Sequence, residues 1–310
     1  MKRYYFDHNA NCPMLPEAIE RYAAVAASCA GNPSSMHWAG RSARRALDDA
    51  RDEVANYVGV EAGAIIFTSG GTESNNIALQ GWLGNQPPGE IVSTMIEHPS
   101  VLRPLERWQQ SGDPTWRTHL IKPDRNGVVA ADKMIAAINS ESRLVSMMSA
   151  NNESGVIQPV VEVAQACREQ GVAIHIDAVQ SLGKTDIKTL AQHADFLSLS
   201  SHKIGGPVGV GALIVRRGRE LRELAPGGGQ ERKRRSGTES VAAICAFATA
   251  LGRIDFAAIT PLRNYFEQQL QQRVDGSLII GNQADRIGNT SLFSIPGLEG
   301  ETLLMQLDLA

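Results

Sequence analysis

The chain has 310 residues, 43 % hydrophobic and 20 % charged, with a net charge of −3. That length supplies one large or two ordinary domains with a buried core, and the composition is that of a soluble globular protein. The charge balance gives no basis for nucleic acid or an anionic membrane as partner, and no apolar run reaches the roughly 18–20 residues of a membrane span.

The start, MKRYYFDHNANCP, has no signal-peptide core, so a cytoplasmic protein is expected. Four scattered cysteines, Cys12, Cys29, Cys167 and Cys245, show no CxxC or Cys/His ligand spacing. They read as free thiols, with neither a disulfide framework nor a metal site.

In chain order, residues 1–40 are broken by Pro13, Pro16, Pro33 and a Gly31-Asn32-Pro33-Ser34-Ser35 cluster. They read as irregular apart from an Ala-rich helix over 16–30. Ala43, Ala46, Leu47, Ala50, Val54, Tyr57 and Val58 then form one stripe of an amphipathic helix, with Gly59 as its stop. Strands are expected at 64–68, 90–95, 144–149, 172–177, 196–200 and 211–215, and helices at 73–82, 100–110 and 160–170. Strands that are apolar at nearly every position and separated by helices predict an α/β fold, a mostly parallel sheet with helices on both faces. Ligands of such sheets bind beyond the carboxyl ends of the strands, so functional residues should follow each apolar run.

From about residue 255 the pattern becomes helix 260–274, strands 277–280 and 290–295, and helix 301–307. The expected division is a large domain over 1–255 and a partial small α+β domain over 256–310, with residues 1–40 packing with the small domain. The small domain looks cut short, and a short tail docked on the large domain is the alternative.

The unusual residues fall at the predicted strand ends. Residues 196–211, FLSLSSHKIGGPVGVG, run from a buried strand through Ser201-His202-Lys203 into a glycine-rich loop. A lysine there is partly desolvated, which disfavours its charged form and frees an amine for Schiff-base chemistry with a carbonyl, pyridoxal phosphate included. An ordinary loop lysine is the plain alternative. Thr68-Ser69-Gly70-Gly71-Thr72-Glu73 sits between a strand and a helix, where glycines allow close approach and the helix start offers N–H groups to a phosphate. It ends as neither a Walker loop nor a dinucleotide fingerprint, and a tight turn capped by Thr72 or Ser69 uses the same residues.

Asp177 closes its strand where a carboxylate can keep a pyridine nitrogen protonated, or simply cap a helix. Asn151-Asn152-Glu153-Ser154-Gly155 offers amides to a ring hydroxyl, or is a turn. His98 offers an imidazole for stacking and proton movement, although a lone His is more often a satisfied structural residue. The run 227–238, GGGQERKRRSGT, reads as a solvated loop or an anion-binding loop. Together these are what pyridoxal phosphate requires: a phosphate cradle, a lysine, a ring-nitrogen carboxylate and ring-flanking groups.

With FDHNANCP, GNPSSMH, IFTSGGTESNN, EHPSV, NNESGVIQP, HIDAVQSLGK, SLSSHKIGGPVGVGAL and GGGQERKRRSGTES in order, the chain resembles fold-type I, class V aminotransferase-like enzymes, specifically cysteine desulfurases of the NifS/IscS type. The resemblance runs from Tyr5 to Ala310. It implies pyridoxal 5'-phosphate as cofactor, attached to Lys203, with its phosphate held by Gly71, Thr72, Ser200 and His202. It implies ring contacts from Asn152, Asp177 and Gln180, and stacking and proton transfer by His98. Thr238 would reach the phosphate of the other subunit of a homodimer. L-cysteine would be the substrate, and a sulfur-acceptor or scaffold protein of iron–sulfur assembly or another sulfur-transfer route the partner.

Two departures stand out. Asn11 and Cys12 occupy places where the family carries two threonines, and the family's persulfide-forming cysteine falls beyond Ala310. The resemblance therefore leaves two expectations: a desulfurase whose persulfide cysteine is absent from these 310 residues, or a catalytically silent relative that binds the cofactor or a partner. Cys12 as a substitute thiol is disfavoured, because cysteines are inert unless their pKa is lowered.

Overall fold

The computed structural model describes residues 3–110 and 115–309; Met1, Lys2 and Ala310, at the outer limits of the two expected domains, lie outside them. Seven strands form the main sheet: β1 (Ile65–Thr68), β2 (Glu90–Thr94), β3 (Arg117–Ile121), β4 (Ser142–Met148), β5 (Ala173–Asp177), β6 (Phe196–Ser200) and β7 (Gly211–Val215). Their order is β1-β7-β6-β5-β4-β2-β3. The pairs β3–β2, β2–β4, β4–β5 and β5–β6 are parallel, and β7 runs antiparallel to both of its neighbours. A second sheet pairs β8 (Leu278–Ile280) with β9 (Leu292–Ser294).

The helices are α1 (Pro16–Ser28), α2 (Trp38–Val58), α3 (Gly71–Leu83), α4 (Pro99–Gln109), α5 (Ala131–Ala136), α6 (Val160–Glu169), α7 (Ile187–His193), α8 (Gln230–Lys233), α9 (Val241–Ala250), α10 (Thr260–Arg273) and α11 (Gly300–Leu309). None of the described helices is long and apolar enough to cross a membrane.

Strand alternation sorts the core into two layers. Ile65, Phe67, Ile176, Leu197 and Leu199 face a cluster built with α1, α2, α6, α7 and α9. Ile66, Leu144, Phe196 and Leu213 face the other, built with α3 and α4. This is the predicted helix-covered, mostly parallel sheet. A polar row crosses its middle: the Ser93 hydroxyl donates to the Ser146 carbonyl, and His175 bridges Ser146 Oγ (2.9 Å) and Ser198 Oγ (3.0 Å). Burial pushes His175 down to about 3, so it is neutral and ties β4, β5 and β6 together just below their carboxyl ends.

Four elements were not foreseen from the sequence. Strand β3 (RTHLI) is a half-polar edge strand held by backbone pairing to β2. Helices α5 and α7 are one to two turns long. Helix α9 (VAAICAFATA) is packed between α1 and α2 and is apolar on every side, which erases the helical period.

The charged run after Gly229 is not the solvated loop one would read from its composition. In α8, Glu231, Arg232 and Lys233 take φ values of 44°, 58° and 61°, a left-handed stretch of three non-glycine residues. Such conformations cost on the order of 1–3 kcal/mol each and persist only where the surroundings over-determine them. Here Glu231 is buried, accepts from both Arg51 guanidinium nitrogens (2.6 and 3.0 Å) and from Phe67 N (2.9 Å). The Arg51 guanidinium in turn lies 4.7 Å from the Phe67 ring centroid. This ion pair fixes the turn to α2 and β1. Arg51→Met, which strands the Glu231 carboxylate, is expected to lower unfolding free energy in denaturant titrations by about 3–5 kcal/mol. Lys233→Gly, at an exposed left-handed position, should instead gain about 1 kcal/mol.

Candidate active site

The carboxyl ends of β1, β4, β5 and β6 open into a cleft of about 720 Å³. Its floor begins where β1 passes through Ser69 and Gly70 into α3. Gly70 has φ 147°, ψ −176°, a conformation closed to L side chains. A Cβ on Gly71 would stand 2.6 Å from Val179 Cγ2, so only glycine lets the start of α3 lie against the loop after β5. Gly70 has no side-chain cap, which leaves the positive end of a 13-residue helix facing the cleft beside Ser200. The Ser200 hydroxyl bonds His202 Nδ1 at 3.0 Å. Burial, with the Lys203 charge beside it, pushes His202 down to about 4, so it is neutral. Glu73 organises the turn from outside: it accepts from Ser69 N and from Arg235 (2.9 and 3.3 Å). Burial opposes its ionised form, yet these bonds outweigh it and hold the carboxyl below its usual range.

Asp177, at the end of β5, is buried and lines the same cleft. Oδ1 accepts from Val179 N (3.0 Å) and Oδ2 from Asn75 Nδ2 (2.7 Å). Burial raises its pKa, while these bonds and the Lys203 charge favour the ionised form. Asn75 Nδ2 also donates to Ser100 Oγ (2.8 Å), which meets His98 Nδ1 at 2.7 Å. Since Ser100 N donates to the same Nδ1, the neutral ring carries its proton on Nε2. One α3 amide thus joins the carboxylate on β5 to the imidazole that caps α4.

Lys203, half-buried, donates to the Asn9 carbonyl and to the Ala10 carbonyl (2.9 Å). Burial lowers its pKa, against the pull of Asp7 and Asp177. Gln180 Nε2 reaches the same Asn9 carbonyl at 3.0 Å. The Asn9 amide donates to the Asn152 carbonyl and to Thr290 Oγ1, and accepts from Asn289. The N-terminal segment therefore straps the lysine to the loop after β4 and to the chain before β9.

Of the residues singled out in the sequence, Gly71, Thr72, His98, Asn152, Asp177, Gln180, Ser200, His202 and Lys203 all line this one cleft. Thr238 does not; it is exposed beyond α8. Sequence reasoning missed Asn9, Asn75, Ser100, Asn289 and Thr290. Of these, Asn9, Asn75 and Ser100 lie inside quoted motifs, but what Asn9 and Asn75 do depends on partners more than 100 residues away. Two cleft residues carry buried polar atoms with no protein partner, Asn75 Oδ1 and Asn289 Oδ1, as a cleft built for a polar ligand would. None of the four cysteines lines the cleft. Burial pushes Cys12 and Cys245 up, and Cys167 to about 12, which disfavours their reactive thiolate forms.

Glu97, next to His98, is fully enclosed: Oε1 accepts from Thr94 Oγ1 (2.6 Å) and Met148 N (2.8 Å), and Oε2 has no partner. Burial raises its pKa from 4.5 to about 8. The folded value lies above the unfolded one, so its contribution to stability is full below about 4.5 and is lost as pH rises through about 8. Glu97→Gln should remove that loss. Denaturation profiles of variant and parent are expected to diverge between about 4.5 and about 8 and run parallel above, with the variant the more stable by a few kcal/mol.

A family model, aminotransferase class-V, matches residues 4–310. The cysteine desulfurase IscS of Dictyoglomus turgidum is 36 % identical over 318 residues, covering all of this chain and 80 % of that protein. A cysteine desulfurase of Cereibacter sphaeroides is 39 % identical over 316 residues, covering 100 % and 81 %. Among solved structures, a NifS-like protein superposes with a TM-score of 0.93 at 33 % identity, covering 99 % of this chain and 86 % of that one. A structure titled SspA in complex with cysteine gives 0.87 at 28 % identity, covering 98 % and 86 %. Matched by the family model over nearly its whole length and superposing on a NifS-like structure, the chain belongs to the pyridoxal phosphate-dependent class-V aminotransferase family.

Proposed function

We propose that this chain is a cysteine desulfurase: L-cysteine and a thiol become L-alanine and a persulfide, the sulfur atom moving from the substrate's β-carbon to the thiol. The observation that carries the reading is the meeting of Lys203, Asp177 and the Gly70–Gly71 turn in one cleft. The names of the relatives support the substrate.

The residues fit pyridoxal phosphate. The α3 start at Gly71 and Thr72, with Ser200 and neutral His202, would hold the phosphate. Lys203 is the amine that would hold the aldehyde, and its lowered pKa favours the neutral, nucleophilic form. Asp177, aligned by Asn75 and Val179 N, would hold the ring nitrogen protonated. Gln180 and Asn152 would flank the ring. When bound, the cofactor supplies an electron sink for the pair released at the substrate's α-carbon. His98, fixed through Nδ1, would give and take protons at Nε2.

Thr238 lies away from the cleft of its own chain, and Met36 and Trp38 are exposed at 90 % and 76 %. Both features support a homodimer in which Thr238 serves the other subunit's phosphate. A sulfur-acceptor or scaffold protein, in iron–sulfur assembly or another sulfur-transfer route, would take the product sulfur. The free, mostly buried cysteines suit a cytoplasmic setting.

That none of the four cysteines of residues 1–310 lines the cleft supports a sulfur-accepting thiol other than these four. That same observation favours a second reading, a cofactor-binding protein without turnover. Chain 1–310 mixed with pyridoxal phosphate should develop a visible absorption band that Lys203→Ala abolishes, and should itself accumulate little or no persulfide from L-cysteine. With a small thiol added as acceptor, alanine should form. An intact band without alanine selects the silent reading. A band that survives Lys203→Ala refutes the cofactor assignment, and substantial persulfide on one of the four cysteines refutes the thiol assignment.

A further inference from the structure

Lys184, in the turn after β5, has no part in the account so far. Half-buried, it directs its ammonium at Gln180 Oε1 (2.9 Å) and lies 5.3 Å from the centroid of the buried Phe256 ring. Among the described residues no carboxylate stands within ion-pair distance of it. A cation withdrawn from water without a counter-ion is costly, and such groups are kept where they act on something.

What it acts on follows from donor and acceptor bookkeeping. An ammonium only donates, so the Gln180 carbonyl oxygen must face Lys184. The amide nitrogen then points the other way and donates to the Asn9 carbonyl at 3.0 Å. That carbonyl also accepts from the Lys203 amine. The chain of contacts Lys184, Gln180, Asn9 carbonyl, Lys203 is therefore fixed in direction at every link, and it ends on the amine assigned to the cofactor.

We propose that Lys184 is a positioning residue for Lys203: it orients Gln180, and through the Asn9 carbonyl the Lys203 amine, and it sets a second positive charge behind that amine. The inference rests on the reading of Lys203 as the cofactor-holding amine. The titratable groups around Lys203 are Asp7 from the N-terminal segment, Asp177 from β5, Lys184 from the turn beyond, and His202 beside it. The two carboxylates favour the charged amine. The Lys203 charge disfavours the charge on Lys184, and the repulsion is mutual, so Lys184 opposes the two carboxylates and more of Lys203 is neutral while Lys184 holds its proton. Burial, together with the Lys203 charge and against a smaller pull from the Cys12 thiol, pushes Lys184 itself down to about 8, so it is charged at neutral pH and discharged above. The aid to Lys203 is accordingly confined to the acid side of about pH 8.

The test is competitive acetylation of the cofactor-free chain with a trace of acetic anhydride, read at Lys203 by peptide mass spectrometry from pH 6.5 to 9.5. At pH 7, Lys184→Met should slow acetylation of Lys203 about 3- to 10-fold relative to the parent, the effect of half to one pKa unit. Lys184→Arg should restore it, and the gap should close above about pH 8.5. In the parent protein the rate should rise less than tenfold per pH unit across about pH 8, which needs no variant to fold. A parent profile that follows a single titration, a Lys184→Met rate equal to the parent's at pH 7, or a deficit of the same size at every pH would each overturn the proposal. Because acetylation needs no cofactor, failure of the chain to take up pyridoxal phosphate would sink the reading of Lys203 and leave this result standing apart.

Discussion

The molecule turns on an amine partly withdrawn from water and given main-chain carbonyls as its hydrogen-bond partners. Lys203 meets the carbonyls of Asn9 and Ala10, and no carboxylate bonds it directly. Carbonyls hold an amine in place without locking on its proton as a carboxylate would. The amine can therefore be both fixed and available, which is what attack on an aldehyde requires. Keeping those carbonyls where they are demands much of the remaining structure. The Asn9 side chain is tied to Asn152 on one side and to Asn289 and Thr290 on the other, so the strap is held from both the main sheet and the later chain.

The opposite wall obeys the same logic with reversed charge. Asp177 is buried at the end of β5, and a carboxylate there survives only if its oxygens are hydrogen-bonded. Val179 N and Asn75 supply those bonds, and Val179 packs against Gly71. The Gly70–Gly71 turn and the Asp177 carboxylate are thus one packed unit. His175 anchors that unit from below as a neutral bridge between β4 and β6. A distortion of the turn at Gly71 would reach Asp177 through Val179, so the two walls of the cleft are held at a set separation.

Much of this was legible in the sequence, and the reasons are physical. Strands such as Ala173–Asp177 and Phe196–Ser200 are apolar runs that stop on a polar residue, so both the element and its ligand edge could be read. The candidate residues at those ends followed from topology and from resemblance, and they line one cleft. Helix α9 was hidden because burial on all sides removes its period, and β3 because backbone pairing, not side-chain pattern, holds it. Glu231 read as one more charge in a basic run, and only the fold shows it facing Arg51 inside the protein. Asn75, Asn9 and Lys184 escaped for another reason. Each bonds a candidate site residue, and local sequence carries no sign of that bond.

Covalent mapping of the cofactor tests the central claim most directly. The chain loaded with pyridoxal phosphate, reduced with borohydride and digested, should carry the pyridoxyl mass on the peptide containing Lys203 and on no other. The same mass on Lys184, or spread over surface lysines, would contradict the account.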